Sequence, residues 1–153
     1  MERKWRTAIG VAATVAALGL AAPASATTWG TASSPYYVWE DSVAQGMAYG
    51  DFKNQNQQYA RSESSQYDLR SGGQSVYVWT DWLYYYTYNG ATQYWTDYSD
   101  ETPHTTSASW TSKSIDKPLK AQSNSARGKV RVCEDHSFAT DPCSASGYPT
   151  FSY

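Results

Sequence analysis

The stretch VYVWTDWLYYYTYNGATQYWTDY, Val76 to Tyr98, draws roughly every second residue from Tyr and Trp and breaks once, at Asn89-Gly90. Two runs of aromatic, β-branched and Thr residues joined by Asn-Gly predict a β-hairpin, because the type I′ turn that matches strand twist needs φ > 0 at both central residues. A two-residue turn there sets Trp82 opposite Asp97 and Asp81 opposite Tyr98. One face then carries Val76, Val78, Thr80, Trp82, Tyr84, Tyr86 and Tyr88 with Gln93, Trp95 and Asp97 across from them. The other carries Tyr77, Trp79, Asp81, Leu83, Tyr85 and Thr87 with Thr92, Tyr94, Thr96 and Tyr98. The two valines assign the first face to the core, and Asp81 assigns the second to solvent. On that assignment Tyr77, Trp79, Tyr85, Tyr94 and Tyr98 form an exposed ridge of rings. Such rings stack on sugars or anchor a protein partner, because they bury large area at low side-chain entropy cost.

Further strands are expected on both sides of the hairpin. Met47 to Phe52 reads as a short first strand, followed by a polar turn over Lys53 to Asn56. Gln58 to Leu69 alternates, with Tyr59, Arg61, Glu63, Ser65, Tyr67 and Leu69 on one face, and Ser71-Gly72-Gly73 turns the chain. Beyond the hairpin, Thr105 to Ser112 reads as a strand centred on Trp110, and Asp116 to Asn124 as a loop or poor strand. Arg127 to Cys133 alternates again, with Val130 and Val132 facing one way and Lys129 and Arg131 the other. Tyr148, Phe151 and Tyr153 mark a last strand. No stretch has the apolar period of an ordinary amphipathic helix. Short strands at regular spacing predict an all-β fold, an antiparallel β-sandwich of Greek-key, immunoglobulin-like or similar form.

The chain opens with Arg3, Lys4 and Arg6, an apolar run from Ala8 to Ala22, and Pro23-Ala24-Ser25-Ala26. Basic start, short apolar centre and small-x-small end describe a secretory signal peptide over 1–26, cleaved after Ala26; the run is shorter than the roughly 20 residues a membrane span needs. The expected product is secreted and free of the membrane. Residues 27–46 form an N-terminal arm, flexible or docked, whose Tyr36, Tyr37 and Trp39 are uncommon in disordered linkers and suit docking on the domain or on a partner. Residues 47–153 form a single domain.

Leaving out Glu2, Arg3, Lys4 and Arg6 takes the chain's 12 basic and 14 acidic residues to 9 and 13, a net charge of −4. That balance gives no reason to bind nucleic acid or anionic lipid. The two cysteines, Cys133 and Cys143, are expected to form a disulfide in an exported chain, closing a loop of about eleven residues for roughly 3 kcal/mol on the chain-entropy account. A zinc site needs further ligands at characteristic spacing, and His136 is the one histidine nearby, so no metal site is expected. No catalytic residue or cofactor is expected either, since there is no Gly-x-Ser-x-Gly elbow, no His-Glu-x-x-His and no phosphate-cradling loop. His104 and His136 read as solvated loop residues, and Asp81 and Asp97 fall on opposite faces of the hairpin, against a glycosidase dyad.

RGKVRVCEDHSFATDPCS, Arg127 to Ser144, together with YARSESSQYDLRSGG, Tyr59 to Gly73, resembles a group of small exported proteins of filamentous actinobacteria. These share a signal peptide, a β-rich domain and a late hairpin of the form V-C-x-D followed by D-P-C-S. The resemblance covers most of the chain after Ala48 and implies a secreted β-sandwich with one disulfide; it attaches no function. In overall form alone the chain also resembles the small adaptors of umbrella-shaped toxin particles, which link a lectin-bearing spoke to the toxin stalk. The expected function is therefore a non-catalytic interaction module binding another secreted protein through the aromatic face and the arm. A carbohydrate-binding protein is the alternative. A protease inhibitor acting through the loop Glu134 to Pro142 is the outsider.

Overall fold

The computed structural model of the chain describes residues 26–70 and 73–153. The expected signal peptide lies outside these residues except for Ala26, and so do Ser71 and Gly72 of the expected turn. Nine strands follow in order: β1 (Ala26–Trp29), β2 (Tyr36–Glu40), β3 (Val43–Gln55), β4 (Tyr59–Asp68), β5 (Val76–Tyr88), β6 (Ala91–Glu101), β7 (Thr111–Pro118), β8 (Ser125–Glu134) and β9 (Thr150–Ser152). They make two antiparallel sheets. One runs β1-β3-β4-β7 with β2 also paired to β3, and the other runs β6-β5-β8-β9. The chain builds the β3–β4 hairpin in the first sheet and the β5–β6 hairpin in the second. It then returns β7 beside β4 and β8 beside β5. The protein is an all-β sandwich with one disulfide, Cys133–Cys143.

The hairpin turns where its sequence demands, with φ of 48° at Asn89 and 78° at Gly90. Tyr88 pairs with Ala91 and the expected register holds down to Leu83 opposite Thr96. There a bulge intervenes, and Trp82 pairs with Tyr98 and Asp81 with Ser99. The correction is one residue on β6: Asp97 is the extra residue, so Tyr98 shifts from the outer face to the inner one, as a one-residue slip in a period of two must do. The assignment of β5 is otherwise as read from its valines. Val76, Val78, Thr80, Trp82 and Tyr84 are fully buried.

Two apolar clusters fill the space between the sheets. Trp29, Val38, Ala48, Val76, Val78, Val130 and Val132 form one. Phe52, Ala60, Trp82, Tyr84, Ala126 and Phe151 form the other. The polar tips of the large rings find carbonyls across the sandwich, Trp82 Nε1 donating to Ala60 O at 3.1 Å and Tyr84 Oη to Pro118 O at 2.8 Å. Between the clusters β4 turns an unusually polar face inward, with Ser62, Ser64, Gln66 and Asp68 all buried. The large residues Tyr59, Tyr67 and Leu69 line its outer face. Where β3 crosses β5 the backbone comes so close that a Cβ on Gly46 would lie 2.3 Å from Val76 Cγ2, which only glycine avoids.

The arm is not a tail. β1 and β2 both pair with β3, which extends from Val43 rather than Met47, and the Asp41-Ser42 turn joins β2 to β3 with both residues at positive φ. One further expectation is corrected and another is sharpened. The strand over Thr105 to Ser112 is absent: Thr105 makes a lone bridge to Val76, and Trp110 precedes β7, packing edge-on against Tyr49 and Tyr67 at 4.9 and 5.5 Å between ring centres. Of the loop or poor strand expected from Asp116 to Asn124, Asp116 to Pro118 end β7, with Asp116 opposite Arg61, and the rest is loop.

That pair is bidentate, with Arg61 Nε and Nη2 donating to the two Asp116 oxygens at 2.7 Å each. The hydrogen bonds from Arg61, ahead of its charge, hold the Asp116 carboxyl below its ordinary value, against the opposing pull of partial burial. The stabilisation is therefore complete above the unfolded value of about 3.9 and is lost as pH falls through the lower folded value. Urea titrations should show Asp116→Asn less stable than wild type by about 0.5–1 kcal/mol at neutral pH, a size limited by one-third exposure. The difference should close in strong acid, and a pH-independent difference would contradict it.

Candidate functional site

The five rings expected to form a ridge do not come together. Tyr77 is 4% exposed, because the disulfide loop folds over it. Its hydroxyl donates to Asp141 Oδ2 at 2.5 Å, and its ring stacks on His104 at 4.6 Å and 10°. Burial first, then that hydrogen bond, raises the Tyr77 phenol far above its ordinary value, so it stays a neutral donor. Trp79 is half-buried, its Nε1 donating to Asp81 Oδ1 at 2.8 Å. Tyr98 packs inward against Tyr84 and under Lys120, whose Nζ lies 4.4 Å from the ring centre. Tyr85 and Tyr94 remain on the outer face as a pair 5.1 Å apart, Tyr94 covered by Arg127 at 4.0 Å. Asp81 bonds Ser99 on the outer face and Asp97 accepts from Tyr86, so the two acids are apart.

Two exposed aromatics lie side by side on the arm instead. Alternation along β2 buries Val38 and turns Tyr37 and Trp39 outward, with Trp39 56% exposed and its ring 5.8 Å from that of Tyr37. Tyr36 packs sideways against Trp29 and is part of the core's margin. Pro35, Tyr37 and Trp39, with Cys143, Ser144 and Ala145, line a groove of about 670 Å³. Among the described residues β2 pairs with β3 alone, so its other edge carries free main-chain donors and acceptors.

One residue beyond Trp39 lies a group that spacing in sequence did not indicate. β8 continues its inward alternation Val130, Val132, Glu134, which puts a carboxylate where a core side chain would sit. Glu134 Oε2 is 3.1 Å from His136 Nε2, and Glu40 Oε1 is 3.7 Å from the same nitrogen. The hydrogen bond to Glu134 raises the pKa of His136, burial opposes it, and the charges of Glu40, Glu134 and Asp141 add to the rise. The backbone N–H of His136 donates to Asp141 Oδ1 at 2.8 Å, which ties the same loop to Tyr77. On the far side of Tyr77, His104 meets Ser75 Oγ at 2.9 Å, Glu101 at 3.1 Å and Asp135 at 3.5 Å. Neither histidine is simply a solvated loop residue: His104 stacks on Tyr77, and His136 is held by Glu134 and, through its backbone, by the Asp141 that accepts from Tyr77. The inward period of Glu134 was the available signal. The arrival of Glu40 from β2 was not legible.

No family model, curated protein or solved structure matches the chain. Among the described residues no helix is long and apolar enough to cross a membrane.

Tyr77 thus acts as a strut. Tyr77→Phe leaves the Asp141 carboxylate short of a donor and should cost about 1.5–3 kcal/mol in denaturant unfolding, as for other hydrogen bonds to charged groups. Tyr85→Phe, with its hydroxyl at the surface, should change stability by less than about 0.5 kcal/mol. Equal effects would show that the Tyr77–Asp141 bond does not hold the loop.

Proposed function

We propose that the protein is an exported, non-catalytic interaction module that binds another exported protein through the β2 arm. The observation that carries this reading is the groove beside Tyr37 and Trp39 along a strand whose outer edge is unpaired. An extended peptide segment laid there can add to the sheet by main-chain hydrogen bonds while its side chains meet the two rings. Large aromatic anchors in a partly enclosed pocket are the typical centres of binding energy. The rings of Tyr37 and Trp39 are tilted by 44°, so they do not make one flat platform for a sugar. The interface accordingly moves from the hairpin face to the arm, and an adaptor between two components of an exported toxin particle is the specific form of this function.

Affinity capture from culture supernatant with the tagged protein should recover a stoichiometric protein partner. Trp39→Ser should abolish capture without changing the unfolding midpoint, and Tyr85→Ser should leave it intact. Retention on chitin, cellulose or peptidoglycan that Trp39→Ser removes would transfer the function to carbohydrate binding. Recovery of the monomer alone, with no retention on any of these polysaccharides, would refute both.

A second reading rests on Phe138, which is fully exposed in the loop closed by Cys133–Cys143. The loop is braced internally, Ala139 N donating to His136 O at 3.2 Å and His136 N to Asp141. An exposed Phe on a braced loop fits the apolar specificity pocket of a chymotrypsin-like protease. Stoichiometric inhibition of such a protease, lost in Phe138→Ala, is the expected outcome of this reading. Unchanged proteolysis at excess protein dismisses it.

A further inference from the structure

We propose that Glu40, Glu134 and His136 form a binding site for one divalent transition-metal ion, zinc foremost, at the end of the sandwich where the arm meets the disulfide loop. The ligand atoms of the three residues all lie within 4.8 Å of one another. Zinc bound tetrahedrally at about 2.0–2.1 Å sets its ligands roughly 3.3–3.5 Å apart. The distances from His136 Nε2, 3.1 Å to Glu134 and 3.7 Å to Glu40, straddle that value, and side-chain rotation of the exposed Glu40 can close the remaining separation around the ion. One imidazole and two carboxylates leave a fourth position for water or a partner's side chain, the ligand number of a zinc site that is not closed. Two carboxylates are too few for calcium, which takes six to eight oxygens, and the imidazole nitrogen is not a ligand it favours.

Charge points the same way. The side chain of Glu134 is only 4% exposed and faces inward beside Val76, its partner on β5. A buried carboxylate is unfavourable unless its charge is matched. A proton on His136 leaves the three side chains with a net charge of −1, because two carboxylates face one imidazolium. A divalent ion on a neutral imidazole brings the group to zero. Neighbouring charges do not make up the deficit: Asp141 adds another negative group, and Asp135 is engaged with His104. Glu40, 45% exposed, leaves a path from solvent.

Because Glu40 follows Trp39 on β2 and His136 lies in the disulfide loop, the ion would clamp the arm to that loop beside the groove. The site stands independently of what the groove binds. Isothermal titration of the chelator-treated, disulfide-bonded protein with Zn²⁺ should show saturable one-to-one binding. Co²⁺ should give the visible bands of a four-coordinate ion, and Zn²⁺ should raise the thermal midpoint by several degrees in a chelator-reversible way. Glu40→Gln and His136→Ala should each weaken binding at least tenfold. Glu40 is at the surface, so its variant tests the site even where Glu134→Gln fails to fold. Absence of saturable binding overturns the proposal. So does one-to-one binding that persists unchanged in both variants, since the ion would then sit elsewhere, as at His104 with Glu101 and Asp135. Partner capture by metal-free protein that Trp39→Ser abolishes would leave the interaction function standing whatever the metal result.

Discussion

The inner face of β5 is the constraint on which both sheets depend. Val76, Val78, Thr80, Trp82 and Tyr84 have no solvent exposure, and every second residue of the strand is therefore committed to the core. Full burial of such side chains is worth about 1.5–3 kcal/mol each against exposure, so a shift of β5 by one residue would put at stake an amount comparable with a domain's whole net stability of about 5–15 kcal/mol. The same commitment sets β8, whose valines oppose Val78 and Thr80, and fixes the cross-strand partner of Cys133 as Tyr77. The disulfide loop is thus placed over the outer face by an inner-face requirement. Tyr77 is buried in consequence, although its alternation points it away from the core.

How much of this was legible follows from the range of each interaction. Asn89-Gly90 and the valines of β5 are local signals, and they gave the turn and the inward face correctly. The bulge at Asp97 has no comparable signature, since it satisfies Tyr86 on β5 and brings Tyr98 over Tyr84, both decided by packing. Local pattern could not show that Tyr77 lies under Asp141 and His104, residues 64 and 27 positions away. The arm was legible as aromatic but not as paired, because the hydrogen bonds that hold it come from the backbone of β3. Alternation on β4 was visible too. Its inward face consists of Ser, Gln and Asp, which no hydrophobic period marks as core.

The arm and the disulfide loop are the two parts that local pattern did least to specify, and they are where the exposed rings, the groove and the histidine–carboxylate group converge. Trp39 and Glu40 are adjacent, yet one faces the groove and the other reaches His136. Consecutive residues of a strand face opposite sides, so Trp39 turns out to the groove while Glu40 lies on the side of Val38, toward β8.

The polar seam between the two apolar clusters has its own structural logic. Ser62 Oγ of one sheet meets Thr80 Oγ1 of the other at 2.9 Å, and the Gln66 amide spans Ser64 and Thr102, whose hydroxyl also accepts from Val78 N. Apolar contact alone would tolerate sliding of one sheet across the other, because hydrophobic burial is non-directional. Sliding by one two-residue step would bring Ser62 against Val78 or Trp82 and leave both hydroxyls buried without partners, at a cost of about 1–3 kcal/mol each. Directional bonds of modest net worth therefore select one lateral register among packings that bury similar area. That register in turn brings the end of β2 opposite the end of β8, and so Glu40 within reach of Glu134 and His136.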